Sequence, residues 1–152
     1  MLSIRGLRVM MARTEILRGI DLDIDKGDCL AIIGESGAGK STLGLSIMGL
    51  LSEGASRGEV LLNGRDLLRI TEDELRQLRG GEMAMVFQNI EDALDPVQRV
   101  GDQIIEAISI HQKRGEKSSC ERKLQSQMFR LLLAVGLSEE KAVAYPHQLS
   151  GG

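Results

Sequence analysis

Aromatic residues are nearly absent from this chain, which has one tyrosine, two phenylalanines and no tryptophan in 152 residues. A core of stacked rings is thereby excluded, and packing falls to Leu, Ile, Val and Met. Cysteine is scarce too. Cys29 and Cys120 stand far apart with no CxxC partner, a usage that excludes a disulfide framework and fits a reducing compartment. No apolar run approaches the ~18 residues of a membrane-spanning helix, and no leader pattern precedes the first polar residues, so a membrane role is expected to pass through a partner. A one-signed charge is also missing. With 19 Lys and Arg against 22 Asp and Glu, a formal charge of −3 gives no basic field to attract nucleic acid. His111 and His147 belong to no cluster with metal-ligand spacing. What remains is a length suited to one globular domain, with enough aliphatic residues to bury a core without staples.

Along the chain, Ile20, Leu22 and Ile24 alternate with Asp21, Asp23 and Asp25, which predicts a strand with one solvated face. The three aspartates do not continue as a calcium loop, because the glycine comes late, at Gly27, and Ile32 occupies the closing-glutamate position. Cys29 to Ile33 is wholly apolar and predicts a strand covered on both faces, as in a parallel sheet. Leu43, Ile47 and Leu50 then recur at helical spacing. Val60 to Leu62 running into Asn63-Gly64 predicts a hairpin, and Thr71 with Glu74 predicts a capping box on a helix stopped by Gly80-Gly81. Met83 to Phe87 is a second short apolar run, predicted to be a strand with Gln88 at its C-terminal end. Beyond Pro96 the periodicity is helical, in Val100, Ile104, Ile105 and Ile108, and again in Leu124, Met128, Leu131, Leu132 and Val135, with Gly136 as a stop. Gln112 to Lys123 is predicted to be a solvated connection, and Pro146 to introduce a short third helical segment.

Between the first apolar run and its helix stands Gly34-Glu35-Ser36-Gly37-Ala38-Gly39-Lys40-Ser41, which matches G-x-x-x-x-G-K-[ST] at every required position. Triphosphate oxygens need many donors at close range. Glycines let the backbone curl with its N–H groups inward, and the helix opening near Lys40 adds its positive end. Lys40 is placed to reach the β- and γ-phosphates, the Ser41 hydroxyl to ligate Mg²⁺, and Thr42 to lie near the α-phosphate. A dinucleotide fingerprint fails, because Thr42 stands where a third glycine is required. The loop therefore predicts a nucleoside triphosphate with magnesium as its ligand.

At Leu149-Ser150-Gly151-Gly152 the sequence resembles the LSGGQ signature of ABC-type ATP-binding subunits. Phe87-Gln88 is similar to their Q-loop, and "GEVLLNGRDL" (Gly58 to Leu67) to their early β-hairpin region. Within that family the likeness is to importers of oligopeptides, dipeptides and nickel, carried by "IIGESGAGKST", "MVFQNIEDALDPVQRVGDQIIEAI" and "YPHQLSGG". Leu94-Asp95-Pro96 stands where those subunits commonly carry Leu-Asn-Pro. The resemblance implies an α/β P-loop NTPase fold of ABC type, with an antiparallel β subdomain and a helical subdomain. Residues 1–88 would form the nucleotide-binding core and residues 89–152 the helical part ending at the signature. It further implies that Gln88 senses magnesium and the attacking water, and that Ser150, Gly151 and Gly152 face the γ-phosphate held by a second ATP-binding subunit. Implied partners are membrane-spanning permease subunits and, indirectly, an extracytoplasmic substrate-binding protein, with the chain on the cytoplasmic face of the membrane and no nucleic acid involved.

Two departures qualify that expectation. Family members often stack an aromatic residue on adenine near the end of the first strand, and Val9-Met10-Met11 has none, so Met11 is the candidate there. The family's catalytic Glu, its magnesium-securing Asp and its switch His follow the signature and lie beyond Gly152. Catalysis is accordingly expected of a longer subunit, while this chain alone is expected to hydrolyse ATP very slowly and to leave a sheet edge uncovered. Two alternatives are a soluble ABC-type ATPase without a membrane partner and a non-catalytic nucleotide-binding fragment.

Overall fold

The computed structural model describes residues 1–51, 55–87, 93–111 and 121–149. The chain forms two compact units, Met1–Met85 and Val86–Gly152.

The first unit is built on a four-stranded antiparallel sheet in the order β2-β1-β3-β4, from β1 (Leu2–Met11), β2 (Thr14–Ile24), β3 (Ala55–Leu62) and β4 (Arg65–Asp66). In β1 the buried apolar side chains are Ile4, Leu7 and Val9. The step of three between Ile4 and Leu7 breaks strict alternation because the register with both neighbours shifts there. Gly6 (φ 54°) and, on β3, Gly58 (φ 106°) supply the positive φ that such a bulge requires. A Cβ on Gly58 would lie 2.6 Å from the carbonyl oxygens of Arg5 and Gly6. Asn63 (φ 51°) and Gly64 (φ 82°) turn β3 into β4 with both central residues left-handed, the primed turn that the dipeptide predicts.

Helix α1 (Lys40–Ile47) and helix α2 (Glu72–Leu78) accompany the sheet. Leu17, Leu43, Val60, Leu67, Leu75 and Leu78 join the three β1 residues in one aliphatic core. Helix α1 ends one turn sooner than the Leu43-Ile47-Leu50 spacing predicts. Gly49 is left-handed (φ 62°), its N–H donates to Ser46 O (3.1 Å), and the Leu50 N–H donates to Leu45 O (2.8 Å), a paired closure in which Leu50 lies just past the helix. The capping box on α2 is present in full. Glu74 N–H donates to Thr71 Oγ1, and the Thr71 N–H and hydroxyl both donate to Glu74 Oε2, each at 2.9 Å.

Two predicted strands are not strands. Cys29 to Ile33 is irregular and exposed, with Ile33 93% accessible, and Met83 to Phe87 makes a single bridge between Met83 and Arg79. Both runs have the composition of central parallel strands, yet a strand exists only with a ladder partner, and the described residues provide neither run with a parallel neighbour. The polar face of β2 is as predicted. Asp23 accepts from both the Arg5 guanidinium (2.7 and 2.8 Å) and the Ser3 hydroxyl (2.7 Å), and Asp21 accepts from the Gly6 N–H (2.8 Å), so these carboxylates are engaged by β1 beside its bulge.

The second unit is helical among its described residues: α3 (Val100–Ile110), α4 (Glu121–Ala134) and two short 3-10 turns, Glu139–Val143 and Pro146–Gln148. Met128, Leu132 and Ala142 form its core, packed by Ile104, Ile105, Ile108, Phe129 and Leu137. Leu131 and Val135, expected on the inward face of α4, are half exposed and exposed respectively. The buried stripe instead runs through Met128, Phe129 and Leu132, about one residue round the helix. Gly136 (φ 78°) closes α4 as predicted, with Leu137 N–H donating to Leu132 O and Gly136 N–H to Leu133 O. Gln103 fastens the turn before α3, since its side chain accepts from Asp95 N–H and donates to Asp95 O and Gln98 O. Of the predicted connection, residues 112–120 lie outside the described part and Glu121 to Lys123 form the first turn of α4. No helix among the described residues is long and apolar enough to cross a membrane.

Candidate phosphate-binding site

The loop from Gly34 to Gly39 is shaped by two left-handed glycines, Gly37 (φ 83°) and Gly39 (φ 90°), with one internal turn closed by Ala38 N–H donating to Glu35 O at 3.2 Å. Gly39 is the N-cap of α1 and offers no side-chain acceptor. It is buried against β2, and a Cβ there would lie 2.8 Å from Leu17 Cδ2 and 3.4 Å from Ile16 Cγ2. Glycine is therefore required twice at this position, for backbone conformation and for space.

Among the described residues the N–H groups of Gly37, Gly39, Lys40, Ser41 and Thr42 donate to no protein acceptor, and the first intrahelical bond runs from Leu43 N–H to Gly39 O at 2.9 Å. A helix start leaves such donors unmet, and here glycine curvature adds loop amides to them at the positive end of the helix dipole. The arrangement suits an anion. Lys40 completes it. Its Nζ donates to the loop's own carbonyls, Gly34 O at 2.8 Å and Glu35 O at 2.6 Å, so the ammonium is held across the loop mouth.

Gly34, Glu35, Ser36, Gly37, Ala38 and Ser41 are exposed, while Lys40 and Thr42 are half-buried. The Ser41 hydroxyl has no hydrogen-bond partner among the described residues, and these residues contain no cluster of three or more His, Cys, Asp or Glu able to hold a metal ion. One hydroxyl beside a phosphate cradle fits magnesium, which keeps most of its waters and binds through few protein ligands plus substrate phosphates. Beside the loop lies a cleft of about 450 Å³ walled by Glu15, Ile16, Arg18 and Ile20 of β2 and by Gly37 and Ala38. Met11, the candidate base-stacking residue, packs against the core instead and does not line this cleft.

The ABC transporter family model matches residues 17–152. The chain belongs to the ABC transporter family. It is 38% identical over 160 residues to the dipeptide transport ATP-binding protein DppD of Bacillus subtilis, covering 99% of this chain and 46% of that protein. It is 42% identical over 139 residues to the oligopeptide transport ATP-binding protein OppD of Mycobacterium tuberculosis, covering 90% of this chain and 22% of that one. The chain thus spans less than half the length of these relatives. Among solved structures it resembles the ATP-binding cassette MJ0796, described as a dimeric post-hydrolysis state bound to ADP and Pi, with a TM-score of 0.78 and 26% identity over 99% of this chain and 64% of that one. The fold is accordingly the α/β ABC-type core with antiparallel and helical parts that the sequence resemblance implies.

Of the predicted site residues, Gly34 through Thr42 come together in one loop and helix start. Gln88, Ser150, Gly151 and Gly152 lie outside the described residues. The approach to the signature is ordered: Tyr145 N–H donates to Gln148 Oε1 (2.9 Å), Leu149 N–H to Pro146 O (3.0 Å), and the rings of Tyr145 and His147 stack at 5.8 Å. Sequence reading missed the part played by Arg79. Its guanidinium donates to Met48 O and Gly49 O at the C-terminal end of α1, each at 2.8 Å, and to Glu72 Oε1 at 2.7 Å. No motif marks this residue, because its partners are backbone carbonyls some thirty residues earlier.

Proposed function

We propose that the chain is the phosphate-loop and helical portion of an ATP-binding subunit that powers uptake of peptides through a membrane transporter. The observation that carries this reading is the set of unpaired amides of Gly37, Gly39, Lys40, Ser41 and Thr42 in the loop and helix start that Lys40 spans. Triphosphate oxygens would accept those N–H groups, and Lys40 Nζ would move from the Gly34 and Glu35 carbonyls onto the β- and γ-phosphates, exchanging neutral acceptors for charged ones. Ser41 and Gln88 would hold Mg²⁺, which neutralises charge on the transferring phosphoryl group. Thr42 would lie by the α-phosphate.

Residues 1–88 act in this proposal as the nucleotide core and residues 89–152 as the helical part that meets the permease subunits at the cytoplasmic face. Ser150, Gly151 and Gly152 would present a hydroxyl and backbone donors to the γ-phosphate on a second ATP-binding subunit, so that ATP joins two subunits and its hydrolysis releases them. The peptide transport named for the DppD and OppD relatives supports peptide rather than nickel as cargo. The test is reconstitution of the complete subunit with its membrane partners in vesicles. ATP hydrolysis should rise with peptide and its binding protein and vanish in Lys40→Ala; hydrolysis indifferent to peptide but raised by nickel, or a subunit that never co-isolates with membrane proteins, would contradict the proposal.

A further inference from the structure

Helix α1 has no acidic residue in its first turn and no basic residue in its last. Its amide end is left open for an anion, and its carbonyl end takes a cation from a distant part of the sequence. Arg79, the residue that closes α2, donates from Nε to Met48 O and from Nη2 to Gly49 O, each at 2.8 Å. Among the described residues no backbone N–H donates to either carbonyl. A planar guanidinium holds two acceptors in one fixed fork, and a positive charge at this place complements the negative end of the helix dipole. The fit is close as well. A Cβ on Gly49 would overlap Leu75 Cδ2 and lie 3.1 Å from Arg79 Nη2, so α2 and Arg79 close directly over this left-handed residue.

With eight residues, α1 is a rod of about 12 Å. Gly39 seats its start against Leu17 and Ile16, and Arg79 grips its end. Two fixed ends define the direction of a rod, and one does not. The free amides of Lys40, Ser41 and Thr42 point along the helix axis, so their aim at the phosphates depends on the far end of α1 as well as the near one. We propose that Arg79 is a positioning residue for the phosphate loop. It holds α1 in the orientation that binds triphosphate, and without it only a fraction of the folded molecules present the loop in that orientation. The apparent Kd then rises in inverse proportion to the competent fraction. This rests on the phosphate-loop reading above and adds to it a residue at the opposite end of the helix from the ligand.

A role confined to stability would lower Tm and leave the affinity of folded molecules unchanged. The experiment compares binding of magnesium tripolyphosphate and Mg-ATP to the unaltered chain, Arg79→Ala, Arg79→Lys and Glu72→Gln by calorimetry, at a temperature where slow exchange of the β1 and β3 amides shows each protein folded. Failure of the unaltered chain to bind tripolyphosphate would overturn the loop reading and this proposal with it. Given that binding, Arg79→Ala should weaken both ligands by the same factor, about tenfold, as when roughly one folded molecule in ten is competent. Arg79→Lys should weaken them by about threefold, because an ammonium keeps the charge but cannot span both carbonyls. Glu72→Gln removes the ion pair and keeps both carbonyl bonds, so it should bind like the unaltered chain. Added tripolyphosphate should also slow exchange of the Leu43 and Met48 amides by a larger factor in Arg79→Ala than in the unaltered chain, since the ligand then supplies the order that Arg79 supplied. Undiminished affinity in folded Arg79→Ala would overturn the proposal. So would full affinity in Arg79→Lys, which would leave charge alone as the cause, or a Glu72→Gln variant as weak as Arg79→Ala, which would assign the effect to the ion pair. Should Arg79→Ala not fold, Arg79→Lys and Glu72→Gln decide by the same criteria.

Discussion

Replacing Arg79 by alanine should unlatch the helix that carries the phosphate loop. The Arg79 side chain is 19% accessible and bonds Met48 O, Gly49 O and Glu72 Oε1, while Glu72 is 56% accessible. Hydrogen bonds from a charged donor are worth roughly 1.5–3 kcal/mol each, and the two carbonyls at the rim of the unit belong at the low end of that range. The exposed ion pair adds at most about 0.5 kcal/mol after screening by solvent. Water regains the freed carbonyls in the variant, so the net loss should be about 2–3 kcal/mol. For a unit of this size that lowers Tm by roughly 10–20 °C. Hydrogen exchange of the buried β1 and β3 amides, read against urea, isolates the first unit from the second. Arg79→Lys should recover part of the loss, since an ammonium can reach one carbonyl but cannot span both. A loss under about 0.5 kcal/mol in Arg79→Ala would refute the view that this guanidinium ties α1 to α2.

Gly39→Ala should cost about 1–3 kcal/mol through φ strain and the Leu17 contact, and should weaken triphosphate binding more than it lowers Tm; a comparison of the two readouts decides. Gly101→Ala should destabilise the helical unit by about 1–3 kcal/mol, because the new Cβ would meet the Ala142 carbonyl oxygen at 2.8 Å, and circular dichroism of the α3 and α4 transition checks it. The Glu74 carboxyl is held below its usual range by the Thr71 N–H and, next, the Thr71 hydroxyl. Its contribution is therefore complete above the ordinary glutamate pKa and lost as pH falls through the lowered folded value. Glu74→Gln should flatten the acid limb of the stability curve by lowering stability at neutral pH, where the carboxylate contributes fully, while changing it least in acid; an unaltered acid limb would count against the capping box as its cause.

Local chemistry was legible in the sequence wherever the signal and its partner were neighbours. The Asn63-Gly64 turn, the Thr71 and Glu74 box, the Gly136 stop and the loop from Gly34 to Ser41 each depend on residues within a few positions of one another. The failures have the opposite character. Cys29 to Ile33 and Met83 to Phe87 carry the composition of parallel strands, but pairing depends on neighbours distant in sequence, and the described residues contain none. The bulge at Gly6 and Gly58 and the Arg79 bonds to Met48 and Gly49 likewise join distant segments through backbone atoms, which leave no side-chain pattern to read.

The central claim is that the loop around Lys40 holds a nucleoside triphosphate. It is tested most directly by calorimetry of Mg-ATP binding to the chain, with Lys40→Ala alongside. The account predicts one saturable site in the unaltered chain and an affinity at least about a hundredfold weaker in the variant, because an ammonium and its charge-assisted bonds to the phosphates are removed. Equal binding by the two proteins, or no binding to the unaltered chain when it is folded, would contradict it.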